Sequence, residues 1–235
     1  MTVILAIETS GEGGGAAVLR EGKPLAEVSV PAARSHGAQL MPCVDKAVLE
    51  AGVGRDQLDL IAVNCGPGSY TGLRIGLAAA AAIGFALDRP VVGVPCFDAM
   101  ALQYLASAQV DEGASIEFWP VLDARRGEVM TARFLYENGQ LTRQSEDELL
   151  APEVLCERAA NKAVVFGSGL PAYPGRWDTS KVAVDAAQFA LGAASVGIQA
   201  WHQVKGIERA QLPRKRVEPR YFRQVTARTI AERVK

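Results

Sequence analysis

The stretch running from Leu58 to Gly84 narrows the folds open to this chain more than any other. Leu58–Asn64 (LDLIAVN) is apolar enough to be a buried strand. It enters the loop Gly66-Pro67-Gly68-Ser69-Tyr70-Thr71-Gly72, and Leu73–Leu87 then reads as a helix of small residues with five consecutive alanines, Ala78–Ala82. A buried strand passing through a glycine turn into a helix is a unit of α/β architecture. The glycines permit positive φ and close backbone approach, and Pro67 stiffens the turn. Ser69 or Thr71 can cap the helix. The free N–H groups and dipole at a helix start also favour an anion. The loop therefore reads either as a well-capped turn or as an anion-binding site made by Gly66, Gly68, Ser69, Thr71 and Gly72.

The remaining pattern fits the same class. Thr2–Thr9 is a buried strand, Gly11–Gly15 a glycine-rich turn, and Ala16–Arg20 and Pro24–Val30 two more strands joined by a hairpin turn at Glu21-Gly22. A helix follows from Ala38 to Ala51, ended by Gly52 and Gly54. Pro90–Val94 is a further strand and Asp98–Ser107 a helix, so the first hundred residues read β-β-β-α-β-α-β and then α. Gln109–Glu117 is a polar connection. Beyond it come strands at Phe118–Asp123 and Glu128–Tyr136 around an Arg125-Arg126-Gly127 turn, and a hairpin turn at Asn138-Gly139. A helix at Pro152–Ala160, a strand at Ala163–Gly167, an apolar helix at Ala186–Val204 and a polar, basic segment from Gln211 complete the chain.

Composition excludes several functions. With 49% apolar and 22% charged residues in 235, the chain can bury a core, and a net charge of −1 makes the whole molecule no polyanion binder. From Trp201 onward, however, ten Lys or Arg face three Glu, and a basic tail can contact nucleic acid, solvent or its own acidic body. The charges are spread over the tail and interleaved with Glu208, Glu218 and Glu232, so little nucleic-acid binding is expected from it. Cys43, Cys65, Cys96 and Cys156 form no CxxC pair and stand among apolar residues, as buried reduced thiols do. Glu8 interrupts the short apolar N-terminus, which is no signal peptide. The run Leu73–Leu87 begins beside Arg74 and is too short to span a bilayer. The expectation is a cytoplasmic protein that meets no membrane.

A strand meander, alternating helices and strands, and a second such half together suggest a duplicated α/β fold, the two-lobed actin/Hsp70/sugar-kinase-like (ASKHA) architecture with a reduced second lobe. The lobes are expected at residues 1–107 and 108–212, with a tail, 213–235, that returns to the first. At this level the fold licenses no function. Particular motifs are more specific. Ile4-Leu5-Ala6-Ile7-Glu8-Thr9-Ser10 together with Gly66–Gly76 resembles the TsaB family. Asp123-Ala124-Arg125-Arg126-Gly127-Glu128-Val129 is similar to that family's motif opening the second half. Pro219-Arg220-Tyr221-Phe222-Arg223 is similar to its C-terminal motif, with Phe222 in place of Leu.

The resemblance implies a non-catalytic partner of TsaD and the ATPase TsaE, which holds TsaD active while a threonylcarbamoyl group is moved onto the adenosine beside the anticodon of tRNA. It implies tRNA contact through the complex rather than alone; no cofactor is expected on this subunit, and ATP is possible in the assembled complex. In TsaD a His-x-x-x-His pair on a helix binds the catalytic metal. Ungapped from the glycine loop, the matching positions here are Cys96 and Met100, and the histidines, His36 and His202, lie elsewhere, so no metal site and no catalytic residue are expected. His36 reads as a cap or surface residue, Asp123, Arg125, Arg126 and Glu128 as salt bridges fixing a turn, and Cys65, with no His to activate it, as a buried thiol. The rival readings are a small ATP-dependent kinase or ATPase using Gly66–Gly72, and a metallopeptidase.

A partner surface is expected on two helices. Leu40, Met41, Val44 and Val48 form one apolar stripe. Leu73, Gly76, Leu77 and Ala80 form the other, where the small residues allow close approach. By resemblance, the same surface pairs with TsaD or, when TsaD is absent, closes a homodimer.

Overall fold

The computed structural model describes residues 1–11, 13–30, 36–108, 110–111, 113–186, 189–212 and 216–221. Its first sheet contains β1 (Val3–Glu8), β2 (Gly14–Arg20), β3 (Lys23–Val30), β4 (Leu60–Gly66) and β5 (Val91–Pro95), in the order β3-β2-β1-β4-β5. The first three strands are an antiparallel meander, and β4 and β5 run parallel to β1. Glu21 and Gly22 join β2 to β3 with φ of 51° and 74°, the conformation a two-residue hairpin turn requires. Both faces of β1 are covered, which is why its sequence is apolar without alternation. Val3, Leu5 and Ile7 pack under α1 (His36–Glu50) and α2 (Tyr70–Leu87), while Ile4 and Ala6 face the opposite layer.

The second sheet repeats this plan. Its strands are β6 (Ile116–Asp123), β7 (Val129–Thr131), β10 (Glu148–Leu150), β11 (Val164–Phe166) and β12 (Ala183–Asp185), in the order β10-β7-β6-β11-β12. Antiparallel and parallel pairings follow in the same succession as in the first sheet. This internal duplication is the two-lobed ASKHA-type α/β fold. The second copy is reduced. Its first helix, α4 (Pro152–Arg158), has 7 residues against 15 in α1, and no helix joins β11 to β12 among the described residues, where α2 joins β4 to β5. A hairpin of β8 (Phe134–Glu137) and β9 (Gln140–Arg143), turned at Asn138-Gly139, adds to its edge.

The single strand expected over Glu128–Tyr136 is split into β7 and β8. Both hold one antiparallel register on β6. The break falls opposite Pro120, which has no N–H to give the ladder, and there Thr131 Oγ1 donates to the Pro120 carbonyl at 2.8 Å.

Each lobe's last helix covers the other lobe or the layer between them. Cys96, Phe97, Met100 and Ala101 of α3 (Cys96–Ala108) pack with Phe118, Phe134 and Phe166 of the second sheet. Val196, Ala200 and Val204 of α5 (Ala193–Val204) pack on Ile4, Ala6 and Leu19 of the first. The helix expected from Ala186 begins seven residues later, with Gly192 as its N-cap in extended conformation and Gly192 N donating to Gln103 Oε1 at 2.9 Å; 187–188 lie outside the described residues. α5, expected in a lobe ending at 212, therefore belongs by packing to the first sheet. Of the tail 213–235, residues 216–221 lie against the first lobe at Cys65 and Gly93, and the rest lie outside the described residues.

Candidate functional site

The glycine loop is shorter than its sequence suggests. Ser69 is the N-cap of α2, its Oγ accepting from Gly72 N at 3.3 Å, so Tyr70, Thr71 and Gly72 form the first helical turn. The helix thereby reaches 18 residues, long and apolar enough to cross a membrane, although Gly72, Leu73, Gly76, Ala80 and Gly84 are buried within the protein. Ser69 N donates to the Ser10 carbonyl at 2.8 Å, and Thr9 Oγ1 donates to the Gly72 carbonyl at 2.8 Å. The glycines face the chain itself. A Cβ at Gly68 would stand 2.6 Å from Ser10 Cβ, one at Gly72 1.9 Å from the Thr9 carbonyl oxygen, and one at Gly76 2.3 Å from Thr9 Oγ1. Gly66, at φ 107°, would place a Cβ 2.8 Å from the Arg220 carbonyl oxygen. Of the two readings open in the sequence, the capped, tightly packed turn describes this geometry. Thr71 is exposed on the first turn and does not cap.

Beside the loop, at the C-terminal ends of β1 and β4, lies a buried polar cluster. Glu8, 2% exposed, accepts from Ser10 N, from Ser10 Oγ at 2.7 Å and from Asn64 Nδ2 at 2.5 Å. Asn64 also donates to Ser10 Oγ at 2.9 Å and accepts from Gly66 N at 2.8 Å. Burial pushes the Glu8 carboxyl above its ordinary pKa, with the hydrogen bonds from Ser10 and Asn64 opposing it. Cys96, at the start of α3, touches the cluster with Sγ 3.9 Å from Ser10 Oγ, and burial raises its thiol pKa strongly. Cys96 and Met100, the positions aligned with a metal-binding pair, are both buried among aromatic side chains of the second lobe. Cys65 is buried and its pKa is pushed up to about 11 by desolvation, which makes it a poor nucleophile. His202 lies on α5 with its ring partly covered, and that partial desolvation, with the nearby charge of Lys205, lowers its pKa.

Three of the four stretches that carry the family resemblance, the glycine loop, the second-lobe turn and the C-terminal motif, meet in space. Gly68 and Tyr70 of the first, Asp123 and Ala124 of the second and Tyr221 of the third line one cavity of about 160 Å³, with Met130 and Leu149. The second-lobe turn holds Arg125, Arg126 and Gly127 at φ of 63°, 57° and 84°. Asp123 stabilises it by accepting from Arg125 N at 2.7 Å and pairing with the Arg125 guanidinium at 3.1 Å. Glu8 does the same for Ser10 N at the matching place in the first lobe. Tyr173 also donates to Asp123, at 2.7 Å. Next to the cavity, Arg143 pairs with Asp98 at 2.5 Å and with Asp147, and Asp147 pairs with Arg220 at 3.6 Å. Burial raises the pKa of Asp98 against the opposing charge of Arg143.

The helix faces expected to bind a partner are partly corrected. Leu40, Val44, Val48, Leu73, Gly76 and Ala80 are buried in the lobe's own core, because their three- and four-residue spacing is the stripe that covers the first sheet. Met41 is 45% exposed and Leu77 half-buried. The outward face consists instead of Ala78, Ala81, Ala82 and Phe85 on α2, with Phe85 92% exposed, and of Met41 and Leu49 on α1, with Leu49 79% exposed. Arg74, Leu77, Ala78, Ala81 and Phe85 form one wall of a groove of about 860 Å³ whose other wall is Arg216, Val217, Pro219 and Tyr221. Sequence reasoning missed the Glu8–Ser10–Asn64 cluster, although a Glu ending an apolar strand was its signal. It also missed the Asp98–Arg143–Asp147–Arg220 ion-pair chain, for which local pattern carries no signal.

Comparison with known proteins agrees with this architecture. The family model described as TsaD, tRNA N6-adenosine threonylcarbamoyltransferase, matches residues 29–189. The tRNA threonylcarbamoyladenosine biosynthesis protein TsaB of Bacillus subtilis is 35% identical over 165 residues, 69% of each chain. Its namesake in Haemophilus influenzae is 27% identical over 233 residues, 94% of this chain and 93% of that one. The solved structure of YeaZ from Pseudomonas aeruginosa superposes with a TM-score of 0.73 at 28% identity, covering 94% of this chain and all of that one. With a family model over residues 29–189 and a relative 35% identical across 69% of both chains, this chain belongs to the TsaB family of tRNA threonylcarbamoyladenosine biosynthesis proteins.

Proposed function

We propose that this chain is a non-catalytic subunit that docks TsaD through the outward face of α1 and α2 and holds it active during threonylcarbamoyl transfer to tRNA. One observation carries the reading. After α2 has buried its sheet-facing residues, Ala78, Ala81, Ala82 and the 92% exposed Phe85 still form an apolar strip in the open. Exposed apolar strips flanked by charge mark interaction sites, and small residues let a partner helix approach closely. The same strip is self-complementary about a two-fold axis, so a homodimer forms when TsaD is absent. TsaE and tRNA join through the complex, in the cytoplasm. ATP is handled by the assembly. Ser69 N and Gly72 N of this chain's loop are bonded to Ser10 and Ser69, which argues against a kinase or ATPase built on Gly66–Gly72.

The test places a charge in the strip. Phe85→Glu and Ala81→Glu replace exposed residues and leave the core intact, whereas a charge at the buried Ala80 or Val44 would unfold the lobe. Both variants should remain folded and elute as monomers. Mixed with TsaD and TsaE, they should lose at least ten-fold in tRNA threonylcarbamoylation. Full activity from folded variants would place the partner surface elsewhere.

A further inference from the structure

We infer that residues 216–221 are a latch across the mouth of the cleft between the lobes, and that Tyr221 couples the outer face of α2 to the cavity inside. The segment touches both lobes. On the first, Arg220 N donates to the Cys65 carbonyl at 2.7 Å, as an extra rung at the end of β4. Val217 fills the notch at Gly93, where an added Cβ would stand 2.5 Å from Val217 Cγ1 and 3.4 Å from Cys65 Sγ. On the second, the Arg220 guanidinium lies 3.6 Å from Asp147, whose other oxygen pairs with Arg143.

Among the described residues, Tyr221 is the one that lines both hollows. Its side chain lines the outer groove of about 860 Å³ and the interlobe cavity of about 160 Å³. Its ring lies 5.0 Å from that of Tyr70, and Arg74 Nε donates to its hydroxyl at 3.0 Å while the Arg74 guanidinium covers Tyr70 at 4.1 Å. Arg74 is exposed on α2 and lines the groove. Whatever moves Arg74 from outside must shift Tyr221, and Tyr221 walls the cavity. The inference extends the docking reading, because α2 carries the proposed partner surface. The latch itself is a property of the isolated chain.

Cys65 reports its state. The thiol is buried beside Val217 and Arg220, and Cys43 of α1 and Cys156 of α4, both buried, are the internal controls. Full-length wild type, Arg220→Ala, Tyr221→Ala and Arg74→Ala would be labelled with iodoacetamide under native conditions, and each cysteine followed by peptide mass mapping. Arg220→Ala and Tyr221→Ala should raise the Cys65 rate at least ten-fold relative to Cys43 and Cys156. Arg74→Ala, which removes no atom near Cys65, should raise it several-fold. A Cys65 rate within two-fold of wild type in the folded variants would overturn the latch, as would a parallel rise at Cys43 and Cys156, which reports global opening. Hydrogen exchange on the wild type gives an independent check. The Arg220 amide should be protected, and exchange at the free-peptide rate would show that no latch is closed. None of these measurements involves TsaD, so a failed docking experiment leaves them standing.

Discussion

Substituting Gly72 by Ala separates a loop built for a ligand from a loop built for its own packing. A Cβ at this position would stand 1.9 Å from the Thr9 carbonyl oxygen and 3.1 Å from the Thr9 carbonyl carbon. Both are backbone atoms of the segment leaving β1, so no side-chain rotation relieves the clash. Either α2 lifts from the sheet or Thr9 moves and breaks the 2.8 Å hydrogen bond from its hydroxyl to the Gly72 carbonyl. Overpacking costs about 1–3 kcal/mol. A clash this deep against backbone belongs at the upper end, and the lost hydrogen bond adds about 1 kcal/mol. Replacing a helical glycine by alanine returns about 1 kcal/mol. The net is about 3 kcal/mol of destabilisation, or roughly 6–12 °C in Tm at about 2–4 °C per kcal/mol for a chain of this size. Urea titration monitored by circular dichroism gives the free energy, with Gly113→Ala as control, since a Cβ there meets nothing within 4 Å. That control should stay within about 0.5 kcal/mol of wild type. A Gly72→Ala protein within about 1 kcal/mol of wild type would refute the packing argument and return the loop to the class of ligand sites.

Two further outcomes follow from the charge distribution. Because burial raises the Glu8 pKa, the folded state holds its proton more tightly than the unfolded chain. The stability from that proton is fully present below the ordinary carboxylate pKa of about 4.3 and is lost as pH rises through the folded value. Glu8→Gln should therefore lessen the fall in stability above pH 4.3 or so, read from urea midpoints across pH, and an unchanged pH profile would contradict the assignment. Changing Arg214, Lys215 and Arg216 together to Ala should leave tRNA binding by the isolated chain unchanged within two-fold in filter-binding titrations. Micromolar binding that weakens steeply with salt and vanishes in this variant would show that the basic tail contacts phosphates.

The first hundred residues were legible because punctuation and periodicity agree there. Glu21-Gly22, Gly52-Gly54 and the glycine loop bound elements whose apolar patterns are long enough to phase. In the second lobe β7, β10, β11 and β12 have three residues each, too few for a period of two to register, which hides β10 and β12 and lets the apolar pattern of α5 extend back to Ala186. The site was legible only in pieces. Its motifs were visible as stretches, but Glu8 meets Asn64 across 56 residues, Ser10 meets Cys96 across 86, and Arg74 meets Tyr221 across 147. No local pattern encodes those meetings; strand order creates them.

The partner face shows most clearly why an apolar stripe cannot be interpreted alone. A helix covering its own sheet and a helix docking a partner both repeat every three or four residues, so Leu40, Val44, Val48, Leu73, Gly76 and Ala80 satisfy either description. Burial decides between them, and those six lie in the core. The alanine run hid the difference, because Ala78–Ala82 has no phase by residue type. Placed on the sheet, only Ala80 is fully covered, and Ala78, Ala81 and Ala82 point away with Phe85. What identifies an interface is the apolar surface left over after the lobe's own packing is complete. On α2 that remainder includes Phe85, a side chain 92% exposed, which water penalises and which no packing among the described residues covers.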